Sequence, residues 1–306
     1  MLWSQVAFGG ADTPTIPAAE HLELPGRGTT LVYEEPGPPG APTIVLVHGL
    51  AATASLNWFA AFGPLSKRFR VLALDLRGHG RGIRARRRFR LADCADDIVA
   101  LADVLGIDAV IPVGYSMGGP IAQLVWHRHP GRTAGLVLCA TSRNFGGSIQ
   151  ERMFYRSLYA ITFGLDLVHR VGVLAPPAIR EPAQTTVVDR VAMPRWALDE
   201  MRRNSPATVL EALGAIGRFS SHAWIGDVDV PTAVVVTTRD RAISPARQLK
   251  LARAIPGATV HPAEADHTAC FFGVDEFVPA LVDACTSVAT RLPAVTTPAR
   301  SPRERR

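Results

Sequence analysis

Residues 109–130 read AVIPVGYSMGGPIAQLVWHRHP, and this stretch decides the fold. The apolar run Val110–Val113 predicts a buried strand, and the amphipathic stretch that ends at Pro130 predicts a helix. Between them lies the pentad Gly114–Gly118, with the sequence GYSMG. A serine in this strand–turn–helix setting lies on a tight turn that exposes its hydroxyl, and the N–H groups of the following helix point toward the same place. The context predicts that Ser116 is a nucleophile.

Three glycines around this serine support that interpretation. Side chains at Gly114, Gly118 and Gly119 would collide with the neighbouring strand and helix if the turn is as tight as predicted. A simpler interpretation is that Ser116 only caps a helix in a glycine-rich turn. That interpretation leaves the pattern of the downstream chain unexplained.

A serine nucleophile needs a histidine to accept its proton and a carboxylate to orient that histidine. The β-branched run Thr232–Thr237 predicts a buried strand, and Asp240 follows in the turn beyond it, where parallel sheets collect functional groups. His267 lies in a loop between a short predicted strand, 258–261, and the last amphipathic helix. The chain order therefore predicts a triad of Ser116, Asp240 and His267.

The tetrahedral intermediate of such a reaction needs two backbone N–H groups that bind its oxyanion. Met117, the residue after the nucleophile, supplies one of them. The apolar strand predicted at 42–47 is followed by His48-Gly49-Leu50, and the N–H of Leu50 is predicted to supply the other. We interpret His48 and His79 as residues that hydrogen-bond loop backbone, and Asp75 and Arg77 as residues that shape the loop after the fourth strand.

Together these motifs resemble the α/β-hydrolase superfamily over roughly residues 28 to 288. The residues that carry the resemblance are His48-Gly49, the segment Asp75–Gly80, the Ser116 turn, Asp240 and His267. Within the superfamily the chain looks most like the single-domain serine esterases and the cofactor-free haloperoxidase or perhydrolase branch, particularly their actinobacterial members.

The resemblance leaves some details of the triad open. Some relatives place their acid where this chain has Asn144, just after the predicted strand 135–140. Thr237 stands where the family often has glycine, three residues before the acid. His261 competes with His267 but lies within a predicted strand, and we interpret Asp266, adjacent to His267, as solvated.

The resemblance implies an α/β fold class: a mostly parallel, eight-stranded α/β-hydrolase sheet flanked by helices, with a helical cap inserted after the sixth strand. The alternation of predicted strands and helices agrees with this. The predicted domains are a loose N-terminal lead-in (1–27), a hydrolase core (28–140 and 226–290), a helical cap (141–225) and a disordered basic tail (291–306).

The composition agrees with a soluble, globular enzyme. Of the 306 residues, 47% are hydrophobic and 20% are charged, which is ordinary for a chain with a large core. No stretch of about 18 uncharged apolar residues occurs, so no membrane span is predicted. The N-terminus lacks the pattern of a secretory signal, and the cysteines have no metal or redox spacing. We therefore expect a cytoplasmic protein.

The net charge of +6 is concentrated locally. Ten basic residues and one acidic residue lie between Lys67 and Arg90. We interpret the run Arg81–Arg90 as a solvated loop, with docking to an anionic lipid or an acidic carrier as the alternative. Nucleic-acid binding is not expected, because no recognition motif or interleaved aromatic pattern is present.

The sequence therefore predicts a serine hydrolase that cleaves a carboxylic ester of a small apolar substrate through an acyl-enzyme, with no metal or organic cofactor. Apolar residues of the predicted cap, Phe154 and Trp196 among them, indicate an apolar substrate pocket, although they could equally pack the cap onto the body. Alternatives on the same triad are a perhydrolase, an acyltransferase or a C–C bond hydrolase. Nucleophilic aspartate chemistry is disfavoured because residue 116 is serine. A non-catalytic ligand receptor of the same fold is the alternative from another class. The oligomeric state is not predicted.

Overall fold

The computed structural model describes residues 15–84, 87–147, 153, 186–187 and 193–293. Eight strands form one sheet: β1 Ala19–Leu24, β2 Gly28–Glu35, β3 Thr43–Val47, β4 Arg70–Leu74, β5 Ile111–Tyr115, β6 Leu136–Cys139, β7 Thr232–Thr237 and β8 Thr259–Ala263. Their order across the sheet is β1-β2-β4-β3-β5-β6-β7-β8. The pairs β1–β2 and β2–β4 are antiparallel, and the other neighbouring strands are parallel. The predicted eight-stranded, mostly parallel sheet is confirmed.

Helices cover both faces of the sheet. In the described ranges they are α1 Ala54–Trp58, α2 Phe62–Ser66, α3 Leu91–Val104, α4 Gly118–Arg128, α5 Met193–Arg202, α6 Pro206–Arg218, α7 Pro245–Ala254, α8 Ala269–Phe272 and α9 Val274–Ala289. Along β3, Ile44 and Leu46 join the core beneath α1, α2 and α9, whereas Val45 and Val47 join the core beneath α3 and α4. Because both faces are covered, the central strands are continuous apolar runs rather than alternating ones.

The sheet places the functional segments at one edge. The parallel strands β3, β5, β6 and β7 all end at this edge, where loops that follow them come together. The turn after β5 contains Ser116, and the turn after β7 contains Asp240.

The long connection between β6 and β7 contains the predicted cap. Its described part includes α5 and α6, so a helical insertion follows the sixth strand as predicted. Thr186–Val187, in the same connection, pairs antiparallel with Thr15–Ile16. The domain boundaries at 141 and 225 stay predictions.

Two boundary predictions differ from the structure. The lead-in predicted to be loose over residues 1–27 contains β1, which pairs along its full length with β2. The pairing agrees with the sequence pattern, which predicts that residues 21–24 and 29–33 form an extended pair. The predicted tail begins with Arg291, but its guanidinium donates to the backbone oxygens of Gly257 and Thr232 and so belongs to the folded body. None of the described helices is both long enough and apolar enough to cross a membrane.

Candidate active site

Ser116 occupies a strained turn at the end of β5. Its φ angle is +51°, a left-handed conformation that non-glycine residues rarely adopt. Its N–H donates to the carbonyl oxygen of Cys139 at 3.0 Å, and its own carbonyl oxygen accepts from the Thr141 hydroxyl at 2.9 Å. Because both backbone groups are held from β6 and the residues after it, the turn keeps this conformation and presents the hydroxyl to His267.

The glycines around Ser116 permit close backbone approach, as predicted. A Cβ atom at Gly114 would lie 2.2 Å from the carbonyl oxygen of Gly118. A Cβ at Gly118 would lie 2.1 Å from the carbonyl oxygen of Val47, and one at Gly119 would lie 2.2 Å from the Thr141 hydroxyl. Pro120 follows in the first turn of α4, where its missing N–H has no intrahelical partner to lose.

The three residues predicted to form the triad come together. Ser116 Oγ lies 2.9 Å from Nε2 of His267, and Nδ1 of His267 lies 2.7 Å from Oδ2 of Asp240. Since a carboxylate only accepts, Nδ1 carries a proton and Nε2 is free to accept the proton of the serine hydroxyl. The Asp240 carboxylate is fully buried, whereas the His267 ring is 28% exposed. The arrangement has the geometry of a nucleophile, a base and an orienting acid.

The turn after β7 is built to hold a carboxylate. Oδ1 of Asp240 accepts from the N–H groups of Ala242 and Ile243, each at 2.8 Å. Oδ2 accepts from the Thr237 hydroxyl at 2.9 Å as well as from His267. Burial by itself would raise the pKa of Asp240, but the bonds from His267, Ile243 and Thr237 outweigh it, and the pKa lies below its ordinary value.

The competing residues have other partners. Asn144 forms an isolated bridge with Ser220, and its carbonyl oxygen accepts from Arg247. The carboxylate of Asp266 turns back to accept from the N–H and hydroxyl of Thr268. His261 lies in β8, and its ring lies 3.0 Å from the Thr259 hydroxyl. Asp240 is therefore the carboxylate that contacts His267.

The loop after β3 passes directly beside Ser116. A Cβ atom at Gly49 would lie 3.5 Å from Cβ of Ser116, and the Gly49 N–H donates to Oδ1 of Asn57 at 2.9 Å. This position brings the next residue, Leu50, to the same edge as Met117, the residue that precedes α4. The two predicted donors of the oxyanion hole thus lie on the two segments that flank the nucleophile.

His48 connects the loop after β3 to the loop after β4. Its Nε2 accepts from the N–H of Leu76 at 3.0 Å, so Nδ1 donates to the carbonyl oxygen of Gly49 at 2.7 Å. Complete burial lowers its pKa to about 3. His48 is therefore a neutral ring that ties the loop after β3 to the loop after β4, as the sequence predicted.

The loop after β4 is fixed by buried charges. Asp75 accepts from the N–H groups of Ala54 and Arg81, both at 2.8 Å, and burial raises its pKa to about 6. Arg77 forms a bidentate pair with Asp97, at 2.6 and 2.7 Å. Both residues shape this loop, as predicted.

The first arginine of the basic run is not solvated, which corrects one prediction. The Arg81 side chain is 7% exposed and lies 3.2 Å from the buried carboxylate of Glu200 in α5. Glu200 also accepts from the hydroxyls of Thr53 and Ser55, at 2.8 and 3.0 Å. Arg81 therefore joins the body to the insertion. The exposed members of the run within the described ranges are Arg84, Arg87 and Arg90.

Trp196 lies in α5, half-buried, with its ring edge-to-face against Phe59 at a centroid distance of 5.8 Å. This contact packs the insertion onto the body, and a role of Trp196 in substrate binding stays a prediction. Phe154, the other predicted substrate contact, lies outside the described residues. Within the described residues, no group of three or more His, Cys, Asp or Glu side chains is placed to hold a metal ion.

A cavity of about 720 Å³ lies next to His267. Its lining includes the charged side chains of Arg239, Arg241, Glu264 and Asp266 but not Ser116. A scissile carbonyl must lie within reach of the serine hydroxyl, so this cavity does not itself hold the reacting group.

Comparison with known proteins identifies the family. Residues 42–274 match the family described as alpha/beta hydrolase fold. The chain belongs to this family. A dihydrolipoyllysine-residue acetyltransferase component of the acetoin cleaving system from Pseudomonas putida is 38% identical over 174 residues, which cover 57% of this chain. The chain spans about half (46%) of the length of that relative.

Solved structures agree with this fold. The enol-lactonase from Burkholderia xenovorans LB400 superimposes with a TM-score of 0.64 at 24% identity, covering 87% of this chain and all of that one (100%). A bromoperoxidase from Bacillus anthracis gives a TM-score of 0.67 at 17% identity, with 88% and 100% covered. The predicted resemblance to the α/β-hydrolase superfamily is confirmed by the family match, and these neighbours share its fold.

Proposed function

We propose that the protein is a serine hydrolase that cleaves a carboxylic ester of a small apolar substrate through an acyl-enzyme. The observation that carries this proposal is the continuous chain of contacts from Ser116 Oγ to His267 at 2.9 Å and from His267 to Asp240 at 2.7 Å. The left-handed turn at Ser116 supports it, because this conformation places the serine hydroxyl against the histidine that can activate it.

In the first half of the proposed reaction, Ser116 Oγ attacks the ester carbonyl carbon while Nε2 of His267 accepts the hydroxyl proton. The N–H groups of Leu50 and Met117 bind the oxygen that becomes negative. The imidazolium is stabilised by the Asp240 carboxylate and then gives its proton to the leaving alcohol. The alcohol departs, and the acyl group remains bonded to Ser116.

In the second half, a water molecule takes the place of the alcohol. His267 accepts a proton from this water as its oxygen attacks the acyl carbonyl, and the same N–H groups bind the second oxyanion. Collapse of the intermediate returns the proton to Ser116 and releases the carboxylic acid. One of the structural neighbours is an enol-lactonase, and a lactone is a cyclic ester, so this neighbour supports the proposal.

The test combines covalent labelling with a substrate panel. A fluorophosphonate probe should label the wild-type protein at Ser116 and leave the Ser116→Ala variant unlabelled. p-Nitrophenyl esters of graded acyl length should be hydrolysed, with the short and medium chains preferred. Absence of both labelling and hydrolysis would favour the non-catalytic receptor, whereas labelling without ester hydrolysis would redirect the search to other acyl donors.

A further inference from the structure

We infer that Gln248 is a positioning residue, which together with Thr237 holds the Asp240 carboxylate against His267. This inference rests on the proposed function, because it concerns the acid of the same triad. Gln248 lies in α7, on the far side of the turn that contains Asp240, and is fully buried (0% exposed). A buried amide must satisfy all of its hydrogen-bonding atoms locally, so its partners define its role.

Gln248 contacts three parts of the acid turn at once. Its Oε1 accepts from the N–H of Thr237, the last residue of β7, at 3.0 Å. Its Nε2 donates to the carbonyl oxygen of Ile243 at 2.7 Å and to the Thr237 hydroxyl at 2.8 Å, and it lies 3.2 Å from Oδ2 of Asp240. One side chain therefore joins the end of the strand, the far side of the turn and the carboxylate itself.

The orientation of this amide follows from its backbone partners. The Thr237 N–H can only donate and the Ile243 carbonyl can only accept, so the oxygen and nitrogen of the amide cannot be exchanged without losing both bonds. The NH₂ group consequently faces Asp240. An oxygen in place of Nε2 would face the carbonyl oxygen of Ile243 and Oδ2 of Asp240, neither of which can donate a hydrogen bond.

Thr237 extends this contact to the acid. Its hydroxyl oxygen accepts from Gln248, so its single hydrogen is directed to Oδ2 of Asp240 at 2.9 Å. A hydrogen bond that ends on a charged oxygen is about twice as strong as a neutral one. The threonine that departs from the glycine common in the family thus supplies a donor that glycine lacks.

The two oxygens of Asp240 are held by different means. Oδ1 is fixed by the N–H groups of Ala242 and Ile243, which belong to the turn. Oδ2, the oxygen that faces His267, is fixed by the Thr237 hydroxyl and by a hydrogen of Gln248 Nε2 that it shares with that hydroxyl. Loss of Gln248 would release both the turn and Oδ2, so the bond to Nδ1 of His267 would lengthen and the imidazole would lose its orientation.

The decisive variant is Gln248→Met, which keeps the volume and removes the donors. We expect kcat for p-nitrophenyl butyrate to fall about tenfold or more with KM unchanged, because a charge-assisted bond is lost away from the substrate. The Nδ1 proton of His267 should move upfield in the ¹H NMR spectrum as its bond to Asp240 weakens. Thr237→Val should shift both readouts in the same direction by less, and Thr237→Ser, which restores the hydroxyl, should return them to wild-type values.

Gln123 provides a matched control for lost stability. It is also fully buried and makes two side-chain hydrogen bonds, from Nε2 to the Ser142 carbonyl oxygen and from the Ser221 hydroxyl to Oε1. Gln123→Met should lower the melting temperature by a similar amount while leaving kcat and the Nδ1 proton unchanged. A Gln248→Met variant that behaves like this control would overturn the inference.

The NMR readout separates this inference from the proposed function, because it needs no turnover. If the wild type hydrolyses no ester but Gln248→Met shifts the Nδ1 proton, the positioning role stands and the proposed reaction fails. If esters are hydrolysed and Gln248→Met leaves both kcat and the Nδ1 proton in place, the reaction stands and the positioning role fails.

Discussion

At the scale of single residues, the proposed chemistry depends on a unit of three side chains. Ser116→Ala and His267→Ala should each lower kcat by on the order of 10⁴-fold or more, and Asp240→Asn should cost somewhat less, because the oxyanion donors remain. The losses should not add in double variants, since each change disables the same proton transfer. Steady-state kinetics on p-nitrophenyl butyrate measure all of these. Near-full activity of Asp240→Asn, together with a harmless Asn144→Asp, would show that the acid is misassigned.

Gly118 makes a second prediction at this scale. Its missing Cβ leaves room for the carbonyl oxygen of Val47, and a methyl group there would lie 2.1 Å from that oxygen. Because backbone, rather than a flexible side chain, stands in the way, Gly118→Ala should lower the free energy of unfolding by about 3 kcal/mol or more. Chemical denaturation followed by circular dichroism measures this change.

Gly131 is the matched control, since it lies in the single 3₁₀ turn Pro130–Arg132 and a Cβ there meets nothing within 4 Å. Gly131→Ala should leave stability unchanged or raise it by about 0.5–1 kcal/mol, because alanine loses less backbone entropy on folding. Equal stability of the two alanine variants would mean that the turn is looser than the structure indicates.

The triad residues could be predicted from sequence because each follows a local pattern: Ser116 and Asp240 come directly after apolar strands, and His267 precedes an amphipathic helix. Gln248 and Glu200 could not be predicted in this way. The partners of Glu200 in the body, Thr53 and Arg81, lie 147 and 119 residues away along the chain. Gln248 lies on a helix whose sequence pattern does not distinguish a buried amide from an exposed one. Such contacts become visible only when the fold brings the elements together.

At the scale of elements, helix α5 is held to the body by a buried ion pair. Arg81→Met would leave the Glu200 carboxylate buried with fewer positive partners, and we expect a local destabilisation on the order of 3 kcal/mol. Relative to the wild type, the amide hydrogens of α5 should exchange faster in Arg81→Met, by a larger factor than those of the sheet.

Arg202→Ala is the control for this prediction. Arg202 pairs with Asp199 at the surface, where both side chains are more than half exposed, 69% and 51%. Its effect should be below about 0.5 kcal/mol. Equal exchange rates in the two variants would contradict the role of Arg81.

Trp196 offers a prediction about what the same helix does for substrates. If it borders the substrate pocket, Trp196→Ala should change the ratio of kcat/KM for short and long p-nitrophenyl esters more than it changes the melting temperature. Its contact with Phe59 makes the opposite result informative as well. An equal loss on all chain lengths with a large fall in melting temperature would assign Trp196 to packing alone.

Most elements could be placed from sequence because their apolar patterns are local. The strand predicted at Thr232–Thr237 has these same bounds in the structure, and the strand predicted at 42–47 begins one residue later, at Thr43. For β1 the sequence gives two signals: residues 21–24 are predicted to be extended, but the proline and small residues before them place the domain boundary after the strand, at residue 27. The interpretation of Arg81 as solvated failed because its partner belongs to the inserted helix.

At the scale of the whole molecule, buried histidines predict how stability depends on pH. Burial lowers the pKa of His48 to about 3 and that of His79 to about 4, against an ordinary value of 6.5. Below pH 6.5 these two histidines bind protons in the unfolded chain but stay neutral in the folded chain. Their contribution to the free energy of unfolding is therefore complete above pH 6.5 and is lost as the pH falls below it. Asp75 acts in the opposite sense, because its pKa of about 6 lets the folded state take up a proton between pH 6 and its ordinary value of 3.8.

The balance of these groups gives the last prediction. Between pH 6 and 5, two histidines lose stability and one aspartate gains it, so the free energy of unfolding should fall by about 1.4 kcal/mol per pH unit. His48→Gln, whose amide oxygen can still accept from the N–H of Leu76, should remove about that slope. Urea denaturation at pH 7, 6 and 5 measures both the wild type and this variant. A His48→Gln variant that loses stability with acid as steeply as the wild type would show that the His48 ring is hydrated or already protonated, and the link between the loops after β3 and β4 would then need another explanation.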